Sequence, residues 1–139
     1  MTLAPGPNAE VELTVTDADT ATAVGSGDVP ALATPRLVAL AEAATVAALA
    51  AVPAGRGGLD DGQTTVGTLV RLEHLAASPV GATVRVRAEL VEVDGGRLRF
   101  EVAATDAGRI VGRGEVVRAV VNRRRFLERL GGPGAGAGG

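Results

Sequence analysis

The chain has 139 residues, 46% of them hydrophobic and 22% charged, with a formal net charge of −2. That is one globular domain with one core, and the balance indicates neither a nucleic-acid nor a membrane-surface partner. Cysteine, lysine, tyrosine and tryptophan are absent and His74 is the single histidine, which excludes disulfides, thiolate zinc, Schiff-base chemistry, aromatic stacking platforms and multi-histidine metal centres.

The start, Met1 to Glu10, has no basic stretch followed by an apolar one, so no secretory leader is expected and a cytoplasmic location follows by default. Glu10 to Thr16 alternates, with Val11, Leu13 and Val15 on one face, and reads as a strand. A loop follows at Gly25-Ser26-Gly27-Asp28. Thr34-Pro35 then reads as a helix start, with threonine as cap and proline in the first turn. The helix is expected to run to about Val52, before Pro53. From Leu37 to Val52 it is apolar on every side except at Glu42 and Thr45, and a helix of that kind must be buried all round. One curved sheet covers only part of it, so a partner subunit is expected to cover the rest.

Beyond the glycine-rich loop Gly55 to Gly62 the period becomes two. Thr64 to Leu75 predicts a strand with Val66, Val70, Leu72 and His74 on one face. Thr83 to Val93 puts Val84, Val86, Ala88 and Leu90 inward, opposite Arg85, Arg87 and Glu89. Arg97 to Ala104 puts Leu98, Phe100 and Val102 inward. Arg109 to Val121 closes the series, with Asp94-Gly95-Gly96 and Asp106-Ala107-Gly108 as turns. These four strands read as an antiparallel meander with one apolar and one charged face. Phe126 to Leu130 predicts a short terminal turn. The domain is expected over residues 1–130, and the glycine-rich tail 131–139 is expected to be disordered. The fold class is α+β: a curled sheet around one long helix.

Catalysis in such a chain falls to carboxylates, one histidine, threonine hydroxyls, arginines and backbone groups. The two serines, Ser26 and Ser78, lie outside any G-x-S-x-G elbow. Glu42 stands out as a carboxylate in an apolar helix, because burying one is costly unless it is paired or hydrogen-bonded. His74 shares the face that covers the helix. Arg118 shares parity with Ile110, Val116 and Val120 if no bulge intervenes, and an arginine there needs an anion: Glu42 or a ligand. Arg123-Arg124-Arg125 reads as a solvated end.

Three segments carry a resemblance: Val29 to Ala44 (V-P-A-L-A-T-P-R-L-V-A-L-A-E-A-A), Thr64 to Gly81 (T-T-V-G-T-L-V-R-L-E-H-L-A-A-S-P-V-G), and Gly112 to Phe126. Together they resemble hot-dog thioesterases of the fluoroacetyl-CoA thioesterase type, over about residues 10 to 126. The resemblance implies a five-stranded antiparallel sheet wrapped around the helix, and a homodimer with acyl-CoA bound where two subunits meet. It also implies Thr34, Glu42 and His74 as catalytic residues and Gly67 and Arg118 as substrate or CoA contacts. No separate cofactor and no metal are expected; CoA enters as part of the substrate. The family's fluoroacetyl-CoA enzyme carries phenylalanines just before its catalytic threonine, whereas Gly25 to Ala33 has none. Ordinary short or branched acyl groups are therefore expected, without preference for a fluorinated one. The alternative is a non-catalytic hot-dog module that binds an acyl-CoA or another apolar small molecule. A hot-dog hydratase or dehydratase would pair aspartate with histidine in a motif this chain lacks.

Overall fold

The computed structural model describes residues 1–131. The rest of the glycine-rich tail, residues 132–139, lies outside the described residues. Five strands form one antiparallel sheet: β1 (Asn8–Thr14), β2 (Gln63–His74), β3 (Thr83–Asp94), β4 (Arg97–Asp106) and β5 (Arg109–Asn122). The helices are α1 (Ala21–Val24), α2 (Thr34–Ala50) and α3 (Arg123–Gly131). The sheet curls around α2, as expected.

The strand order is β1-β3-β4-β5-β2. Thus β3, β4 and β5 form the predicted meander, but β2 does not continue it. It pairs with β5 and forms an edge, while β1 lies beside β3. The segment from Leu75 to Ala82 is longer than a hairpin loop, and it carries the chain across three strand spacings, about 14 Å.

The inward residues are those the alternation indicates. Val84, Val86, Ala88, Leu90, Leu98 and Phe100 are buried and pack with Leu37, Leu40, Ala41, Ala44 and Ala48 of α2. Removing these side chains from water is the main driving force of this fold. The outer face carries paired charges, such as Arg71–Glu115 at 2.6 Å and Arg85–Glu12 at 2.8 Å. Exposed pairs of this kind add little stability; they keep the outer face soluble.

Two bulges alter the expected parity. In β2 the register slips between Gly67 and Leu69. Val70, Leu72 and His74 therefore share their face with Gly67 and Thr65, not with Val66. In β5 the register slips at Val111, between the pairs Ala104–Gly112 and Thr105–Ile110. Val111 is buried, whereas Ile110 is 52% exposed and does not share the face of Arg118. A bulge inserts one residue and reverses the alternation beyond it.

α2 lies chiefly over β1 and β3. Its opposite flank is open: Ala39, Ala43, Val46 and Ala50, a stripe at helical spacing, are exposed. One chain therefore does not bury this helix all round. The predicted terminal turn is the longer α3, with Arg123, Arg124 and Arg125 exposed in its first turn. Among the described residues no helix is long and apolar enough to cross a membrane.

Candidate active site

Thr34 opens α2, but its hydroxyl does not cap it. Ala33 is the N-cap residue and makes no side-chain capping bond, and Pro35 sits in the first turn. Thr34 Oγ1 instead shares a hydrogen bond of 2.8 Å with His74 Nδ1 at the end of β2. The other ring nitrogen, Nε2, is buried and has no partner among the described residues. Burial lowers the His74 pKa below 6.5, so the ring is neutral at pH 7.

The segment before Thr34 is pinned on several sides. Ala33 N donates to Asp19 O and Leu32 N donates to Ser78 O, both at 2.9 Å. The Asp19 carboxylate accepts from Thr16 N and Thr16 Oγ1 and pairs with Arg36 Nε at 3.0 Å. These bonds, Thr16 foremost, hold the Asp19 pKa below its ordinary value. Nothing in the sequence pattern singled out Asp19, because its partners are the backbone and hydroxyl of Thr16 in its own loop and a side chain of the helix.

Two turns further along α2, Glu42 faces a different group of residues. Its Oε2 lies 3.5 Å from Arg118 Nη1. Arg118 is 7% exposed; its Nε donates to Thr65 Oγ1 at 2.8 Å and its Nη2 to Thr65 O at 3.2 Å. Burial lowers the Arg118 pKa, and Glu42 partly restores it. The β2 bulge turns Thr65 inward, and that is what gives it this role. Gly67 is the near wall. A Cβ on Gly67 would run into the Glu42 carboxylate, so only glycine leaves that carboxylate its present place.

The five site residues thus form two groups: Thr34 with His74, and Glu42 with Gly67 and Arg118. Eight residues of helix, about 12 Å of rise, separate Thr34 from Glu42. A cavity of about 340 Å³ opens beside Thr34 and His74, and another of about 300 Å³ lies along α2 beside Arg118 and Thr65.

The model of one family, the fluoroacetyl-CoA-specific thioesterases, matches residues 15–124. The chain belongs to this family. All five site residues lie inside the matched stretch. A fluoroacetyl-CoA thioesterase from Streptantibioticus cattleyicolor is 39% identical over 94 residues, 68% of this chain. The match spans 63% of that relative's length. Among solved structures, a variant of the fluoroacetyl-CoA-specific thioesterase FlK in complex with fluoroacetate and CoA superposes with a TM-score of 0.78. It is 31% identical, with 89% of this chain and 99% of that one covered. A hot-dog-like protein from Thermanaerovibrio acidaminovorans superposes with a TM-score of 0.75 at 24% identity, with 92% of this chain and 93% of that one covered, and supports the fold. Family membership and the curled sheet around α2 agree on the hot-dog architecture.

Proposed function

We propose that this chain is an acyl-CoA thioesterase acting on a small acyl thioester, with Thr34, Glu42 and His74 as its catalytic set. The observation that carries the reading is Glu42: the one carboxylate in α2, set among apolar residues, facing a glycine and provided with a buried arginine as counter-charge. Such an arrangement keeps a reactive oxygen aimed and unobstructed. The CoA complex of FlK is further support.

The reaction adds water across the thioester, giving a carboxylic acid and CoA thiol. Glu42 either attacks the carbonyl carbon or takes the proton of the attacking water; both routes need its carboxylate. The neutral His74 ring hydrogen-bonds Thr34 through Nδ1, and this pair lies beside the water or the carbonyl oxygen. Gly67 leaves space for the thioester beside Glu42, and Arg118 holds that carboxylate in place. Thiolate is a good leaving group, so the site needs no strong acid. CoA is the carrier portion of the substrate, and no metal has a role.

The working unit in this reading is a homodimer with its sites between protomers. Three observations support it. The exposed stripe Ala39, Ala43, Val46 and Ala50 borders Glu42. β2, which carries Gly67 and His74, is an edge strand. Glu42 forms an ion pair with Arg118, whereas Thr34 is hydrogen-bonded to His74, about 12 Å away along the helix. A second copy set against α2 and β2 would bring its own Glu42 toward Thr34 and His74.

The test is thiol release from a panel of acyl-CoAs by the purified protein, beside absorbance change on enoyl-CoAs. Thiol release is the expected outcome. Tight acyl-CoA binding without turnover would favour the non-catalytic module, and enoyl hydration would favour a hydratase.

A further inference from the structure

The cavity beside Thr34 and His74 is large for the smallest acyl groups and has aliphatic walls. Its volume is about 340 Å³. Liquid water occupies about 30 Å³ per molecule, and a methyl group takes similar room, so an acetyl methyl would fill about a tenth of it. Val29, Ala31, Leu32, Leu75 and Ala76 line it, and the polar side chains in its lining are Thr34 and His74 themselves. Two of the aliphatic walls are left open to solvent: Val29 is 56% exposed and Leu75 47%. Apolar side chains exposed around a pocket mouth mark a surface that an apolar ligand covers.

The walls are fixed in place. Ala21 N donates to Ala31 O at 2.9 Å, Leu32 N donates to Ser78 O at 2.9 Å, and Leu75 N donates to Val111 O at 2.7 Å. Ala31 also bridges to Pro79. The cavity is therefore held open by backbone bonds on both sides and does not depend on one loop position.

The lining offers no partner for a second charged group. Arg109, which reaches the lining residue Ala77 by donating to its O at 3.1 Å, lies 3.7 Å from Asp106. A carboxylate or ammonium on the acyl chain would meet no side chain of opposite charge in this lining and would lose part of its hydration against the aliphatic walls.

We infer that the acyl group this site takes is an unsubstituted aliphatic chain of four to eight carbons, linear or branched, seated between the Val29–Leu32 segment and Leu75–Ala76. The inference rests on the thioesterase reading above and names its substrate class. Each methylene buried against these walls in the transition state multiplies kcat/KM by about fourfold at most. Butyryl- to octanoyl-CoA are therefore expected to exceed acetyl-CoA by about tenfold or more.

The experiment is kcat/KM of the purified protein on acetyl-, fluoroacetyl-, butyryl-, hexanoyl-, octanoyl- and succinyl-CoA. It is repeated with Val29→Phe and with Ala76→Leu. Val29 is exposed, so Val29→Phe is expected to fold as the parent does, and both substitutions narrow the cavity. The expected result is an optimum between four and eight carbons, poor succinyl-CoA hydrolysis, and a shift of the optimum toward shorter chains in at least Val29→Phe. An optimum at acetyl- or fluoroacetyl-CoA overturns this inference and leaves the thioesterase reading standing. A chain-length profile unmoved by both substitutions also overturns it, because the chain then lies elsewhere. Failure to hydrolyse any member overturns the thioesterase reading and this inference together.

Discussion

The Thr34 hydroxyl is spent on His74 Nδ1, 2.8 Å away, and not on the end of its own helix. That separates two roles usually merged in a threonine at a helix start. A capping threonine replaced by alanine typically costs about 1 kcal/mol; here no cap is lost. Thr34→Ala should therefore melt within a few degrees of the parent yet lose turnover. Thr34→Ser keeps the hydroxyl and should retain most activity. Melting curves and kcat on one hydrolysed acyl-CoA check this. A large stability loss in Thr34→Ala with activity intact would show the hydroxyl to be structural.

Glu42→Gln preserves shape and removes the charge. If Glu42 is base or nucleophile, kcat/KM should fall by about 10²-fold or more. Its only ion-pair partner among the described residues is Arg118, which would keep its two bonds to Thr65. The fold should therefore survive. A folded variant with most of the parent rate would remove Glu42 from the mechanism and revive the binding-module reading.

Gly67→Ala tests the same carboxylate from the opposite side. The new Cβ meets the tip of a flexible side chain and not backbone, so the strain is relieved by turning Glu42 away. Stability should change by about 1 kcal/mol or less, while kcat drops with the carboxylate's position. Equal kcat in the parent and Gly67→Ala would mean that the aim of Glu42 is unimportant.

How far the residues alone led depends on the range of the interaction. The buried faces of β3 and β4 were legible because strict alternation over Val84 to Leu90 and Leu98 to Val102 has one solution. Glu42 was legible because a carboxylate contradicts its apolar surroundings, and Arg118 for the same reason on its strand. The faces of Val66, Thr65 and Ile110 were not legible, because each lies beyond a bulge and no local residue signals the extra position. The place of β2 beside β5 was hidden too: pairing between distant strands depends on where the Leu75 to Ala82 crossover leads, not on the composition of either strand. Thr34 read as a cap because Thr-Pro at a helix start satisfies that pattern locally; its actual partner is 40 residues away.

The shared-site dimer makes its own prediction. Glu42→Gln and His74→Ala should each be inactive as homodimers. When they are mixed and allowed to exchange, a heterodimer whose sites combine Glu42 of one protomer with Thr34 and His74 of the other has one intact site and one doubly defective site. Activity should return to a substantial fraction of the parent's on mixing, and light scattering should give a dimer throughout. A monomer at micromolar concentration, or mixtures as inactive as their parts, would place each site within one chain.

Asp19 offers a pH test of the scaffold behind Thr34. Its pKa is held below the ordinary 3.8, first by the Thr16 bonds and then by Arg36. A carboxyl depressed in this way contributes its full stability above that ordinary value and loses it as pH falls through the folded pKa. Asp19→Asn should therefore lower Tm at pH 7, and the gap to the parent should shrink below pH 3.8. A gap independent of pH would mean that the loss came from packing and not from charge.

His74 gives the corresponding test at the site itself. Burial lowers its pKa below 6.5, so the folded protein binds fewer protons than the unfolded chain once pH drops under that value. The stability of the neutral ring is complete above pH 6.5, declines as pH falls from there to the folded pKa, and is constant below it. Turnover, which in this reading needs the neutral ring, should hold through pH 6.5 and fall only at lower pH. Because His74 is the single histidine, its ring signals in an NMR titration need no assignment. The midpoint should lie below 6.5 in the folded protein and move up to the ordinary value on unfolding in urea. A midpoint above 6.5 in the folded state would mean that a negative charge stabilises the imidazolium more than burial destabilises it. In the shared-site reading the source of such a charge is Glu42 of a second copy, so a midpoint that rises with protein concentration would point to that carboxylate and one that stays put to burial alone.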